Sequence, residues 1–176
     1  MSRESLERVF AEFDAEVKAF AGASCISCPL GCGNCCDHAD TEVTADEAAL
    51  IANHIREEEP SLGNHLENAL AEPDRTECVF YDRDKDFHCR IYKVRPLICR
   101  AFGYSAYSDR SGNKLFAICP SMPIAKKSGG VMPVLFEPYP PVVEEYRERI
   151  DRLNKSENPG RRPLGEAVWR ALQENE

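Results

Sequence analysis

The sequence predicts a small α+β fold that is rich in helix and contains one short β-hairpin. Residues 3–21, 44–58 and 142–155 carry apolar side chains at spacings of three and four, which is the pattern of amphipathic helices. Residues 77–92 are instead rich in β-prone side chains on both sides of a polar turn. The 176 residues are enough to bury a core, so we expect one domain over 1–176.

The first helices have local start and stop signals. Thr44 is followed by Glu47 three residues later, a capping box in which each side chain satisfies a backbone N–H at the helix start. This helix should run to about Glu58, and Pro60 ends it, after which Ser61 is expected to cap a shorter helix. The buried face of the longer helix is expected to carry Ala48, Ile51 and Ile55.

The later elements follow from proline positions and β-prone runs. Pro96 suits the first position of a short helix, residues 114–118 read as a strand, and Pro163 should start the last helix. We therefore expect a cysteine-bearing core over about 25–122 and a C-terminal helical extension over about 141–176.

Composition and charge exclude several classes of protein. No run of 18 apolar residues exists, so no transmembrane helix is expected. The first residues lack the apolar stretch of a secretory signal, which predicts a cytoplasmic location. The formal net charge of −8 disfavours bulk binding of nucleic acid through phosphate neutralisation.

Cysteine is the unusual residue of this chain. Nine cysteines are present, and five of them lie within the twelve residues 25–36. In a reducing compartment such thiols are expected to be metal ligands or catalytic groups, whereas the alternative is buried structural thiols or disulfides.

The first cysteine group reads Cys28-x3-Cys32-x2-Cys35-Cys36, with Cys25 just upstream. A two-residue turn lets two thiolates point at one ion, which is the spacing that metal sites favour. Neighbouring Cα atoms are about 3.8 Å apart and successive side chains tend to diverge. We therefore expect Cys35 and Cys36 to bridge two metals or to serve separate ligand sets. Cys28 is preferred to Cys25 as the first ligand.

The second cysteine group is spread along the chain and completes a set of eight. The predicted metal ligands are Cys28, Cys32, Cys35, Cys36, Cys78, Cys89, Cys99 and Cys119. Eight thiolates suit two four-ligand sites, or one cluster with a second site, and all-thiolate ligation suits zinc or iron–sulfur chemistry. The adjacent pair and the surplus of thiolates favour a multinuclear iron centre.

Basic side chains are concentrated around the second cysteine group. Residues 76–140 contain ten Lys and Arg against six Asp and Glu, in an otherwise acidic chain. We expect Arg95 and Arg100 to bind the cofactor by balancing the thiolate charge.

These motifs resemble the CxxCxxCC (YkgJ-like) family of zinc- or iron-chelating proteins. The resemblance rests on the Cys35-Cys36 pair, on Cys78-Val-Phe-Tyr and on the stretch from Cys89 through Arg95-Pro96 to Cys99-Arg100. It implies metal binding. A more distant similarity to flagellin lysine N-methylases implies an iron–sulfur cluster and methyl transfer, although the chain has no Gly-rich nucleotide loop.

The predicted function is thus that of a cytoplasmic metalloprotein that binds iron, as an iron–sulfur cluster, or zinc. Such a centre would support redox or group-transfer chemistry. The alternative is a zinc-stabilised module that binds a protein partner and has no catalytic activity. The sequence leaves open whether the chain is an enzyme, and it names no catalytic residue and no substrate.

Overall fold

The chain has the predicted α+β fold. The computed structural model describes residues 3–24, 26–29, 32–36, 41–72, 75–84, 88–122, 131–133, 137–153 and 160–174. The described helices are α1 (Arg3–Ser24), α2 (Ala45–Glu58), α3 (Ser61–Leu70), α4 (Leu97–Ala101), α5 (Val143–Leu153) and α6 (Leu164–Gln173). The described strands are β1 (Glu42–Val43), β2 (Ala106–Ser108), β3 (Lys114–Ala117), β4 (Val131–Pro133) and β5 (Arg162–Pro163). Two 3-10 turns cover Asn34–Cys36 and Tyr92–Val94.

The chain divides into two compact units, each built from two separate stretches. Gly33–Pro96 and Asn154–Glu176 form the first unit, whereas Ser2–Cys32 and Leu97–Leu153 form the second. The two C-terminal helices belong to different units, since α5 lies in the second and α6 in the first. The grouping of all 176 residues into one domain stays a prediction.

The first unit packs three helices around one apolar core. Thr44 is the N-cap of α2, and the capping box with Glu47 forms as predicted. Ala48, Ile51 and Ile55 are all buried, which confirms the predicted face. The core also takes in the buried faces of α3 and α6.

A two-stranded ladder closes the first unit. β1 pairs with β5 in antiparallel register, with Glu42 opposite Pro163 and Val43 opposite Arg162. Directly beside it, Glu47 is almost completely buried and lies 3.6 Å from Arg161. This pairing joins residues distant in sequence and carried no local signal.

The second unit combines α1, α4 and α5 with a three-stranded antiparallel sheet in the order β2-β3-β4. α1 presents Leu6, Val9, Phe10, Phe13 and Phe20 to the interior, as its periodicity predicts. Phe13 meets Tyr146 of α5 edge-on at 4.9 Å, and Phe20 meets Phe116 of β3 at 5.0 Å. The predicted strand at 114–118 is confirmed as β3.

Two local predictions were wrong, and a third holds in a shorter form. The expected hairpin over 77–92 forms, in its described residues, as a bridge between Tyr81 and Cys89. The N–H of Arg90 donates to the Phe80 carbonyl at 3.0 Å and the N–H of Asp82 donates to the His88 carbonyl at 3.1 Å on either side of it. The N-cap of α3 is Pro60 rather than Ser61. Pro96 precedes α4 instead of occupying its first position.

No helix in the described ranges is long and apolar enough to cross a membrane.

Candidate metal centre

The eight predicted metal ligands divide equally between the two units. The first thiol set comprises Cys35, Cys36, Cys78 and Cys89, and the second thiol set comprises Cys28, Cys32, Cys99 and Cys119. These eight cysteines, all within the described part of the chain, form no disulfide. Cys25 lies outside the described residues. The unit boundary falls between Cys32 and Gly33, and therefore separates the cysteine-rich loop into two halves.

A tight turn brings the sulfurs of Cys35 and Cys36 together. The N–H of Cys36 donates to the Gly33 carbonyl at 2.8 Å and closes the 3-10 turn Asn34–Cys36. The two Sγ atoms lie 3.9 Å apart, so the expectation that these side chains diverge was wrong. Two thiolates that each lie about 2.3 Å from one tetrahedral zinc ion are separated by roughly 3.8 Å. The observed spacing therefore suits a shared ion.

Cys78 and Cys89 sit at the start of two similar four-residue turns. The carbonyl of Cys78 accepts from the N–H of Tyr81 at 2.9 Å, and that of Cys89 accepts from Tyr92 at 3.3 Å. In each turn the third residue, Phe80 or Ile91, is buried in the first unit's core. Burial raises the pKa of each of these cysteines, and the backbone amide of that third residue donates to the thiolate and offsets part of the rise. Both turns thus supply a thiol together with its own hydrogen-bond donor.

Backbone contacts tie these turns to the Cys35-Cys36 pair. The N–H of Cys78 donates to the Cys36 carbonyl at 2.8 Å, and Tyr81 pairs with Cys89. Gly33 has a φ of +64°, and a Cβ there would lie 2.9 Å from the ring of Tyr81. A larger residue at Gly33 would push against the turn that carries Cys78.

The thiols of the first set raise one another's pKa. The pKa of Cys36 is raised first by its contact with Cys35, then by burial, and further by the charges of Cys35, Cys78 and Cys89. Burial raises the pKa of Cys78, and it raises that of Cys89 to about 11. Four thiolates that repel one another need a cation, because a bound divalent ion reverses this electrostatic cost.

Two arginines oppose this cost. The positive charge of Arg95 lowers the pKa of Cys89, and Arg95 lies 4.1 Å over the ring of Tyr92. Arg75 acts in the same way on Cys78. Arg75 was not predicted as a site residue, although its position three residues before Cys78 is a signal in the sequence.

Arg100 lies in the second unit and is engaged with α1. Its guanidinium is buried, pairs with Asp14 and stacks at 4.5 Å over Phe10. A role for Arg100 in balancing thiolate charge stays a prediction.

Two members of the second thiol set, Cys28 and Cys119, lie beside Tyr104 and Gly103. The N–H of Cys28 donates to the Tyr104 hydroxyl at 2.6 Å. Cys119 is buried in a cluster with Phe20, Ile118 and others, and Tyr104 packs against that cluster. Gly103 has a φ of +78°, and a Cβ there would come within 3.0 Å of the Cys119 Cβ.

Among the residues that the structure describes, no group of three or more His, Cys, Asp or Glu side chains is already arranged to hold a metal ion. His88, next to Cys89, has a φ of +51°, and its Nδ1 lies 3.3 Å from the Asp82 carbonyl. The donors suit zinc or iron nevertheless, because soft thiolates select these metals.

A small α+β protein with eight cysteines outside any disulfide, four in each compact unit, belongs by composition to the class of cysteine-rich metal-chelating proteins. The chain belongs to the CxxCxxCC family, described as a putative zinc- or iron-chelating domain, whose model matches residues 25–120. The resemblance drawn from the sequence is thereby confirmed. Neither the curated proteins nor the solved structures contain a match to this chain.

Proposed function

We propose that each unit binds one zinc or iron ion through its own set of four cysteines. The observation that carries this proposal is the equal division of the eight candidate ligands between two compact units. Four thiolates complete the tetrahedral shell of a structural zinc site, or of a mononuclear iron site, so neither unit needs a further ligand.

The spacing of Cys35 and Cys36 supports one ion in the first set rather than a multinuclear cluster. Thiolates on different irons of a cluster point outward from separate metal atoms, whereas these two sulfurs are 3.9 Å apart. The sequence argument for a cluster assumed that two four-cysteine sites would split this pair. The pair instead falls in one unit, so two sites are compatible with it.

Charge balance in the first set also supports a single divalent ion. Four thiolates and one divalent cation leave a formal charge of about −2. Arg75 and Arg95 act on Cys78 and Cys89 and carry the two opposite charges. The Phe80 and Ile91 amides add hydrogen bonds to the same two sulfurs. We retain a cytoplasmic location, because thiolate ligands need a reducing compartment.

An iron–sulfur centre that supports redox or group-transfer chemistry is the second candidate. It is favoured by a cavity whose wall includes Cys119, since chemistry at a metal needs room for a substrate beside it. If both sites are instead closed zinc sites, the protein is a zinc-stabilised interaction module without catalysis.

Elemental analysis of anaerobically purified protein tests the proposal. We expect about two metal ions per chain, one fewer in Cys36→Ser, one fewer in Cys119→Ser, and none in the double variant. Cys25→Ser is the matched control and should keep both ions. Loss of all metal in either single variant would instead indicate one shared centre. Acid-labile sulfide with visible absorption would establish the iron–sulfur candidate.

A further inference from the structure

We infer that the second unit contains a binding site for a small uncharged aromatic molecule, in the cavity bounded by Phe102, Ser105, Tyr107 and Cys119. This site goes beyond metal binding, since only Cys119 of these residues belongs to a thiol set. The inference rests on the size of the cavity, the chemistry of its wall and the constraints that hold the wall in place.

The cavity has the size of a fragment-like ligand. Its volume is about 250 Å³. An apolar cavity of roughly 150 Å³ is known to accommodate benzene, and drug-sized ligands occupy pockets of about 300–1,000 Å³. A substituted benzene or a fused bicyclic ring therefore fits, whereas a nucleotide or a peptide side chain with its backbone does not.

The chemistry of the wall selects against negative charge. Apart from Cys119, which the proposed metal site would hold as a thiolate, none of the described residues that line the cavity carries a charged side chain, and most are apolar. A carboxylate or phosphate placed there would lose its hydration without gaining an ionic partner, which is costly. Ser105 and Tyr107 are the lining residues that carry a hydroxyl, and a hydroxyl can donate to or accept from one polar atom of a neutral ligand.

Phe102 supplies an aromatic surface at this cavity. Its side chain is 41% exposed, which makes it one of three exposed large hydrophobic side chains in the described residues. Aromatic rings gain favourable offset or edge-on contacts with a second ring. Phe102 therefore favours an aromatic occupant over an aliphatic one.

Backbone constraints form the wall in advance. Gly103 follows Phe102 and has a φ of +78°, where its missing Cβ allows contact with Cys119 and Met122. On the other side, Ala106 donates its N–H to the Pro141 carbonyl at 2.9 Å and bridges Val142. These contacts hold β2, with Tyr107, against the start of α5, so little ordering is needed when a ligand binds.

Fluorine NMR titration of the metal-containing protein tests the inference with 4-fluoroanisole as the neutral aromatic probe. The size-matched anion 4-fluorobenzoate is the control ligand. We expect saturable millimolar binding of 4-fluoroanisole, and binding of 4-fluorobenzoate weaker by about tenfold or more.

Two variants locate the site. Ser105→Leu fills the cavity and should weaken 4-fluoroanisole by about tenfold or more, whereas Ser108→Leu adds the same side chain to an exposed position of β2 that does not line the cavity. Phe102→Ala should weaken the probe roughly three- to tenfold. Phe102 is exposed, so this variant keeps the test valid if Ser105→Leu fails to fold.

Three results would overturn the inference: no saturation up to roughly 10 mM probe, equal binding of the two probes, or wild-type affinity in both cavity variants. Metal content is measured in the same samples. Full metal content without probe binding would refute the cavity site alone, and probe binding without metal would refute only the proposed metal sites.

Discussion

Each thiol set contains four cysteines, but the two sets differ in how they contact the apolar cores beside them. In the first unit, Cys78 and Cys89 pack from outside against a large cluster of buried residues from α2, α3 and α6. In the second unit, Cys119 is itself a member of a smaller cluster, with Phe20, Ile118 and Met122. A metal ion bound at the first set therefore adds to a core already present, whereas one at the second set holds a core residue in place.

Metal removal should have the largest effect on stability, and its effect should differ between the two units. A ligand present at about 1,000 times its dissociation constant stabilises by roughly 4 kcal/mol, so chelation should lower the thermal midpoint by roughly 8–16 °C. Amide hydrogen exchange should show α2 still protected and the residues around Cys119 exchanging faster.

Zinc or ferrous iron added back under reducing conditions is the control, and it should restore both the midpoint and the exchange pattern. An unchanged midpoint after confirmed metal removal would contradict the first expectation. Equal loss of protection in both units would contradict the proposed contrast between the sets.

Removal of a buried charged side chain should have the next largest effect on stability. Glu47→Ala should cost about 2–4 kcal/mol, because Glu47 accepts from the N–H of Thr44 at 2.9 Å and is 1% exposed. Arg100→Met should cost less, about 1–3 kcal/mol, since its partner Asp14 is 45% exposed and can be hydrated. Urea unfolding measures both.

Glu47→Gln is the matched control for the first of these variants, because glutamine can still complete a capping box. It should lose less than half of what Glu47→Ala loses. A larger loss of unfolding free energy in Arg100→Met than in Glu47→Ala would contradict the prediction.

Glycine substitution gives a smaller and more local effect. Gly33, Gly103 and Gly112 all have positive φ, but a Cβ meets the surroundings only at Gly33 and Gly103. Alanine in this conformation costs about 1–2 kcal/mol, which is all that Gly112→Ala should lose. Gly33→Ala should additionally weaken metal binding at the first set, and Gly103→Ala at the second. Metal titration of each variant measures these affinities. Unchanged metal binding in both variants, or weaker binding at the opposite set in each, would contradict the prediction.

The contribution of Glu12 to acid sensitivity should be the smallest effect, and it belongs to the second unit. Hydrogen bonds from Arg149 and Arg8 hold the pKa of Glu12 below its ordinary value of 4.5. The stabilisation is therefore fully present above that value and is lost as pH falls through the lowered pKa. Thermal midpoints between about pH 6 and pH 3 should converge for wild type and Glu12→Gln. Glu58→Gln, at an exposed position of α2, is the comparison in the first unit.

Local features of the fold could be predicted from the sequence. The capping box at Thr44 and the buried face of α2 depend on residues within one helix, and both formed as expected. The hairpin is shorter than the β-prone run predicts, because Phe80 and Ile91 lie in turns that begin at Cys78 and Cys89. The β1–β5 pairing joins Glu42–Val43 to Arg162–Pro163, and no local sequence pattern predicts a contact between such distant segments.

The sequence predicts eight cysteine ligands but does not predict their division between the two units. Cys32 and Cys35 are three residues apart and read as one motif, yet they fall in different units. The backbone hydrogen bond from Cys78 to Cys36 lies within the first unit and joins two segments distant in sequence. Spacing predicts which residues are ligands, whereas their division between the units depends on contacts between residues distant in sequence.

The paired turns at Cys78 and Cys89 amount to a transferable part. Each carries within four consecutive residues a sulfur, an amide that donates to it and a side chain that anchors the segment in apolar surroundings. A turn of this kind requires only that the protein carrying it provide an apolar pocket for the side chain of its third residue. Protein engineers can therefore graft a thiolate ligand with its electrostatic support onto a surface turn elsewhere, one ligand at a time.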